Sequence, residues 1–178
     1  SPADCCYVGL NHFSSEKPKL VLSGINRGPN LGNDVFYSGT AAGAREGCFQ
    51  GVSSVAFSLN IRSRDTVHHW DTATEAATWV AERVLREGLP ENCYLNVNIP
   101  NLPVSQLRGY RAASLGPRLY VKSVDCRVDP RGKEYFWIGG GLADQQPEEG
   151  TDSWAVENGF VSITPISLDI THAEALDE

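Results

Sequence analysis

Apolar and polar positions in the first hundred residues alternate between short strand-like runs and longer helix-like stretches. Three runs rich in Leu, Val, Ile and Phe have the length of buried strands and occupy residues 19–23, 52–58 and 93–99. Helical spacing of apolar residues is clearest over 71–86, and shorter helices are predicted over 1–10 and 40–48. This order of elements, with short connections, predicts βαβ units and a mostly parallel, Rossmann-like α/β sheet flanked by helices.

Residues with capping side chains mark the expected starts of these helices. Ser1 precedes a proline and an acidic first turn, and Ser38 or Thr40 opens the helix over 40–48. Thr72 and Glu75 have the spacing of a capping box at the start of the long helix. The local sequence therefore predicts where each helix begins.

The pattern changes after Pro103, where strand-like runs follow one another without an amphipathic helix between them. These runs occupy 108–115, 119–128 and 133–138 and predict antiparallel strands. An Asp-Pro-Arg-Gly turn at 129–132 joins the last two as a hairpin. Because long hairpins often protrude and pair with another subunit, we expect this one to be an oligomerisation extension. A final strand is predicted over 160–165.

Size and composition fit one folded α/β domain over 1–178. The chain is 41% hydrophobic and 21% charged, which is typical of globular proteins and excludes disordered or fibrous classes. Within the domain we expect a core portion over 1–105, the hairpin extension over 106–140 and a return to the core over 141–178.

Charge and cysteine use narrow the expected partners and compartment. The net charge of −7 and the pI near 5.1 argue against binding of nucleic-acid duplexes or anionic lipid. No run approaches the roughly 18 apolar residues of a membrane span. The five cysteines favour a reducing compartment, and without a leader-like N-terminus they predict a cytoplasmic location. Because methionine is absent even at position 1, we expect the chain to be a fragment.

The stretch 24–39 is the first candidate site, because it follows a buried strand and is dense in Gly and Asn. Glycines let backbone amides approach an anion, and asparagine provides an oxygen for a metal or an N–H for a phosphoryl oxygen. Asn26, Asn30 and Asn33 are all candidates for either task, and Arg27 is the candidate cation for a substrate contact. Simple turn formation explains the same composition, so the loop alone does not decide between a site and a surface turn.

The residues Ser38, Gly39 and Thr40 place two hydroxyls and unpaired backbone amides at the start of a helix. Such an end attracts phosphate. Helix capping by Ser38 or Thr40 is the alternative interpretation. The loop and the helix start together, directly after a buried strand, indicate an anion site more specifically than either does alone.

These motifs closely resemble the signature of the SurE family of metal-dependent nucleotidases. The residues that carry the resemblance are Ser-Gly-Ile-Asn at 23–26, Gly-Pro-Asn-Leu-Gly at 28–32, Tyr-Ser-Gly-Thr at 37–40, Ala44 and Glu-Gly at 46–47. Further matches follow in the family's order at 1–5, 95–100, 129–132, 151–152 and 161–165. The resemblance therefore covers nearly the whole chain.

The resemblance implies a phosphomonoesterase that acts on nucleoside 5′- and 3′-monophosphates, and in some members on short polyphosphate, with Mg²⁺ or Mn²⁺. In the family two adjacent aspartates, a serine and an asparagine hold the metal, and Asn26 matches the asparagine. Side chains and amides at positions 30 and 38–40 (Asn30, Ser38, Gly39 and Thr40) would hold the phosphoryl oxygens. The family's hairpin implies a homodimer or homotetramer, with Trp137 as a candidate contact, and Asp152 is expected to brace the site.

The family's aspartate pair has no counterpart here, because no two aspartates are adjacent anywhere in the sequence. In the family the pair lies in an Asn-Asp-Asp-Gly stretch upstream of the segment that matches Ser1. We therefore expect this chain to lack the N-terminal third with that pair, which leaves the catalytic residue unassigned. A hard cation requires several oxygen ligands and negative charge, so the chain alone should bind metal weakly.

Two other interpretations remain open from the sequence. A degenerate relative could keep the fold and the hairpin and serve as a noncatalytic binding or oligomerisation module. A dinucleotide-binding protein is disfavoured, because no Gly-x-Gly-x-x-Gly motif lies between a strand and a helix. The four histidines (His12, His68, His69 and His172) are expected to be solvated or capping residues.

Overall fold

The computed structural model describes residues 1–117, 123–139 and 146–176. Its α-helices are α1 (Pro2–Val8), α2 (Gly39–Phe49), α3 (Trp70–Glu87) and α4 (Asp152–Glu157). Short π- or 3₁₀-helical segments occupy Gly9–Phe13, Gly32–Phe36, Val104–Gln106 and Ala173–Leu176. None of the helices in the described ranges combines the length and apolar composition that crossing a bilayer requires.

Five of the strands form one mixed sheet in the order β1-β2-β3-β7-β4. The strands are β1 (Val21–Arg27), β2 (Ser54–Asn60), β3 (Cys93–Pro100), β4 (Tyr110–Ala112), β5 (Ser123–Val128), β6 (Glu134–Gly139) and β7 (Val161–Ser167). β1, β2 and β3 are parallel, which confirms the predicted βαβ arrangement and the α/β class. β7 is antiparallel to β3, but β4 is parallel to β7, so the expectation of purely antiparallel pairing after Pro103 is wrong for β4.

The two faces of the sheet differ because β2 and β3 alternate polar and apolar residues. One face carries buried apolar side chains, which pack against Ala73, Ala76 and Val80 of α3 and include Val55, Phe57, Leu59, Leu95, Val97 and Ile99. The opposite face carries Asn, Ser and small residues beneath α2, where the covering residues are Ala41, Ala44 and Cys48. α2 approaches this face closely, because a Cβ at Gly47 would collide with the Ser54 hydroxyl. The polar face can therefore build a site without interrupting the apolar core.

Several predicted boundaries differ from the structure. β1 does not end at Gly24 but continues to Arg27, so the predicted loop over 24–39 is reduced to a few residues before the 3₁₀ helix at Gly32–Phe36. α1 ends at Val8 and continues as a π-helical segment. Only 110–112 of the predicted strand 108–115 pairs in the sheet. Residues 119–122 of another predicted strand lie outside the described residues.

Helix capping follows the local sequence at two helices and departs from it at the third. The Ser1 side chain accepts from the Asp4 N–H, and the Ser38 side chain accepts from the Ala41 N–H, as predicted. The prediction of a capping box at Thr72 is wrong. α3 begins at Trp70, and the Thr72 hydroxyl donates to the Leu102 carbonyl at 2.8 Å. A tertiary acceptor has therefore replaced the local one.

Candidate active site

A bulge in β1 brings Asn26 into line with the polar face of the sheet. Ser23 pairs with Ala56, but Asn26 pairs with Ser58, so β1 has one more residue than β2 between these positions. A one-residue shift exchanges the two faces of a strand, so a regular β1 would place Asn26 in register with the apolar side instead. Gly24 lies at the bulge with φ +130°, a backbone conformation that favours glycine.

The bulge completes a polar row at the carboxyl end of the parallel strands. The paired positions run Asn26, Ser58, Asn98 and Ser162 across β1, β2, β3 and β7. Asn26 is partly buried, and its Nδ2 donates to the Gly28 carbonyl at 3.0 Å. Within the described residues no hydrogen bond reaches its Oδ1, which leaves that oxygen available as a ligand. The structure therefore places the predicted metal ligand where open α/β sheets bind ligands.

Asn30 is the most strongly fixed residue of the loop that follows β1. It is buried, its N–H donates to Asn98 Oδ1 at 2.8 Å, and its Nδ2 donates to Ser58 Oγ at 2.7 Å. Its carbonyl oxygen accepts from Asn96 Nδ2 at 2.8 Å and from Asn98 Nδ2 at 3.0 Å. An amide nitrogen has two hydrogens, so one N–H of the Asn30 side chain makes no hydrogen bond within the described residues.

Asp152 fixes the end of the same loop from another part of the chain. Its carboxylate is fully buried and accepts N–H groups from Gly32 at 2.7 Å, Ser153 at 2.8 Å and Gly116 at 3.1 Å. Hydrogen bonds to a charged acceptor are stronger than neutral ones. The Asp152 carboxylate therefore holds Gly32 close to Gly116 and the start of α4, and its role at the site stays a prediction.

The start of α2 presents free backbone donors. Ser38 caps the helix through the Ala41 N–H at 3.0 Å, while the N–H groups of Gly39 and Thr40 have no hydrogen-bond partner among the described residues. Gly39 is exposed, and Thr40 is partly exposed. Since α2 runs back along the sheet, these donors lie at the same end of the βαβ unit as the loop.

Arg27, at the end of β1, is exposed and has no ion pair within the described part of the chain.

Burial shifts the pKa of a phenol and of two thiols near α2. Burial raises the pKa of the Tyr94 phenol, and the positive charge of Arg45 offsets part of this increase, which places Arg45 near Tyr94. Burial also raises the pKa of the Cys48 and Cys93 thiols, so both remain neutral, unreactive side chains.

The sequence interpretation missed the functional weight of Ser58, Asn96 and Asn98. Asn96 and Asn98 are fully buried, in a strand whose other buried side chains are mostly apolar. Buried amides require hydrogen-bond partners, so two asparagines at alternate positions of a buried strand were the available indication. Their partner, Asn30, lies 66 and 68 residues away, which sequence spacing alone does not reveal.

Acidic, histidine and cysteine side chains do not cluster around Asn26 in the part of the chain that the structure describes. In the described ranges no group of three or more His, Cys, Asp or Glu side chains could hold a cation. Asn26 contributes one neutral oxygen, whereas Mg²⁺ or Mn²⁺ requires several oxygens and negative charge.

Comparison with known proteins agrees with this fold and site. The family model described as Survival protein SurE matches residues 1–122. The 5′-nucleotidase SurE of Aquifex aeolicus is 45% identical over 177 residues, which cover 99% of this chain and 69% of the relative. The corresponding protein of Vibrio vulnificus (strain CMCP6) is also 45% identical, with coverage of 99% and 68%.

A solved structure shows the same arrangement. The crystal structure of the SurE protein from Aquifex aeolicus superposes with a TM-score of 0.84 at 44% identity, covering 99% of this chain and 70% of that one. The chain therefore spans about 70% of the length of that protein. This α/β chain with a polar strand-end site belongs to the SurE family, which confirms the resemblance found in the sequence.

Proposed function

We propose that this chain forms most of a nucleotidase that hydrolyses nucleoside 5′-monophosphates to nucleoside and phosphate. The observation that carries the proposal is the anchored loop with Asn30 beside the free amides of Gly39 and Thr40, in a chain of the SurE family. Activity on 3′-monophosphates and on short polyphosphate is proposed with it, because a site built around the phosphoryl group contacts what these substrates share. The proposed cofactor is Mg²⁺ or Mn²⁺.

Each residue of the site has a proposed role that follows from its contacts. The Gly39 and Thr40 amides, with the Ser38 and Thr40 hydroxyls, donate to phosphoryl oxygens at the positive end of α2. The second N–H of Asn30 donates from the loop, and Arg27 neutralises charge at its exposed edge. Because the fold holds the Asn30 side chain and the amides at the start of α2 before substrate binds, these donors stabilise developing charge without reorganisation. Asn26 would offer its Oδ1 to a bound cation, which would polarise the phosphoryl group, and the family's aspartate pair would supply the negative charge that such a cation requires.

A further strand is proposed to complete the site along the free edge of β1. Among the described residues, β2 is the only hydrogen-bonded neighbour of β1. Between α1 and β1 lies a groove of about 860 Å³ whose lining includes Pro2, Cys6, Leu10, Leu22 and Gly24. An unpaired strand edge accepts another strand through its backbone groups. We propose that a strand with the family's Asn-Asp-Asp-Gly sequence pairs here and brings two carboxylates to the end of β1, near Asn26.

Phosphate release tests the proposed activity. The full-length gene product should hydrolyse nucleoside monophosphates with Mn²⁺ or Mg²⁺ but not with EDTA, and this chain alone should be inactive. Asn26→Ala should lower kcat/KM of the full-length protein by about 10²-fold, because an oxygen ligand is lost. The measurement is released phosphate over a panel of nucleoside monophosphates.

The matched control for this test is Asn33→Ala, since Asn33 is exposed in the neighbouring 3₁₀ helix. It should retain activity within about twofold of the wild type, as expected of a surface substitution. A full-length protein that is inactive with every metal would contradict the nucleotidase proposal and favour the noncatalytic module. Equal activities of Asn26→Ala and Asn33→Ala would contradict the role given to Asn26.

A second proposal concerns the hairpin, which presents an apolar face to solvent. Across the antiparallel pair β5–β6, Val124 lies opposite Ile138 and Cys126 lies opposite Phe136. Ile138 is 87% exposed and Phe136 is 65% exposed. A two-stranded hairpin is only marginally stable by itself, and a contiguous exposed apolar patch marks an interaction surface. We propose that a second copy of this chain covers this face, in a homodimer or homotetramer.

Ile138→Lys should therefore convert the oligomer to a monomer, because it places a charge in the centre of the proposed interface. Analytical ultracentrifugation at micromolar concentration measures the change. Arg131→Ser, in the turn between β5 and β6, is the control and should leave the oligomer intact, because this side chain is exposed and lies outside both paired faces. A wild-type protein that sediments as a monomer would contradict this proposal.

A further inference from the structure

Two asparagines are buried in the middle of the central strand, where the chain otherwise places hydrophobic residues. Asn96 and Asn98 have no solvent exposure, and they alternate with Leu95, Val97 and Ile99. Burying an amide without hydrogen bonds costs about 1–3 kcal/mol by protein mutational data, so two such residues require a compensating interaction. Both side chains bond the loop after β1, which lies outside the sheet, while the buried Asn96 Oδ1 has no hydrogen-bond partner among the described residues.

The side chain of Asn98 binds the backbone of Asn30 in the manner of a neighbouring strand. Its Oδ1 accepts the Asn30 N–H at 2.8 Å, and its Nδ2 donates to the Asn30 carbonyl at 3.0 Å. Asn96 donates to the same carbonyl at 2.8 Å. A single side-chain amide thus satisfies both backbone groups of a residue that belongs to no strand.

Ser58 adds a third constraint, which acts on the Asn30 side chain. Its hydroxyl oxygen accepts from Asn30 Nδ2 at 2.7 Å, and Ser58 is fully buried in β2 beside Asn98. The backbone and the side-chain amide of Asn30 are therefore both held by adjacent strands of the rigid sheet. The remaining side-chain N–H of Asn30 has a defined direction before any ligand arrives.

We propose that Asn98, with Asn96 and Ser58, forms a clamp that positions the loop around Asn30 for phosphate-ester hydrolysis. This inference rests on the proposed function for its catalytic part. The three clamp residues act through Asn30, so they are positioning residues. Their contribution is preorganisation, because a donor held in place loses no free energy to reorientation in the transition state.

Asn98→Asp separates positioning from simple packing, because it keeps the size of the side chain and the acceptor for the Asn30 N–H. The donor to the Asn30 carbonyl becomes a second oxygen, which repels that carbonyl. In the full-length protein with Mn²⁺ we expect kcat to fall by about 10²-fold while KM changes by less than about threefold. Ser58→Ala is a milder change and should lower kcat by about tenfold. It provides the same test if Asn98→Asp does not fold.

The matched control is Thr72→Val, which removes the side-chain hydrogen bond of the buried Thr72 on α3, the helix that packs on the opposite face of the sheet from α2. It should lower the melting temperature yet keep kcat within about twofold of the wild type below that temperature. Clamp variants that fold and retain kcat equal to that of Thr72→Val would overturn the positioning role.

Hydrogen exchange tests the clamp independently of catalysis. On this chain, Ser58→Ala should increase the exchange rate of the Asn30 amide by about tenfold and leave the amides of β2 and β3 unchanged. Unchanged exchange at Asn30 in both Ser58→Ala and a folded Asn98→Asp would overturn the clamp. A wild-type protein without phosphatase activity would instead overturn the proposed function, while the exchange result would still decide whether the loop is clamped.

Discussion

Gly24→Ala is expected to lower the free energy of unfolding by about 4 kcal/mol. A Cβ at position 24 would lie 2.5 Å from the Phe57 carbonyl oxygen, which belongs to the backbone of β2 and cannot move aside cheaply. Gly24 also has φ +130°, a conformation that residues with side chains rarely adopt. Urea denaturation followed by circular dichroism measures the loss. Because the bulge at Gly24 sets the register of Asn26, activity of the full-length protein should fall as well.

Gly28→Ala is the matched control for the steric part of this effect. Gly28 has nearly the same φ, +125°, but a Cβ there would meet only Asn26 Nδ2 at 4.0 Å. It should therefore cost about 1–2 kcal/mol, from backbone strain alone. Equal losses of stability in the two variants would contradict the argument that β2 excludes a side chain at position 24.

Asp152→Ala should destabilise the protein by about 4 kcal/mol and abolish activity of the full-length protein. The substitution leaves the N–H groups of Gly32, Gly116 and Ser153 without their carboxylate acceptor, and each unsatisfied buried donor costs about 1–3 kcal/mol. Loss of the bond to Gly32 also releases the far end of the site loop. Urea denaturation and phosphate release measure the two effects.

Asp65→Ala provides the comparison, because Asp65 also accepts a backbone N–H, from Arg62 at 2.8 Å, but lies near the surface. Water can replace that carboxylate, so the expected loss is about 1 kcal/mol with activity retained. Asp152→Asn should fall between the two, since it keeps one acceptor oxygen. Similar stabilities of Asp152→Ala and Asp65→Ala would show that the buried carboxylate does not hold the loop.

The sequence was sufficient for features that depend on neighbouring residues. Runs of apolar residues and the periodicity of α3 predicted the parallel strands, and Ser1 and Ser38 predicted two helix starts. The Gly- and Asn-rich segment after the first strand indicated the position of the site. All of these depend on interactions within a few residues, which composition and spacing report directly.

The sequence was not sufficient where distant residues decide the local structure. Thr72 was assigned to a local cap, but its hydroxyl donates to Leu102, 30 residues away. The continuation of β1 beyond Gly24 depends on pairing with β2. A Gly-rich composition gives no indication of that pairing. Likewise, the shape of the loop is set by Asn98 and Asp152, whose partners cannot be read from spacing.

The separation of these partners also determines when the site forms during folding. The bonds that fix the loop join Asn30 to Ser58 and Asn98, and Gly32 to Asp152, across 28, 68 and 120 residues. Contacts of such long range form only after chain closure has been compensated by other interactions. The loop should therefore acquire its shape after the folding transition state, so that changes there accelerate unfolding and leave the folding rate nearly unchanged. During folding, the sheet would form first, and the loop that completes the site would adopt its final conformation last.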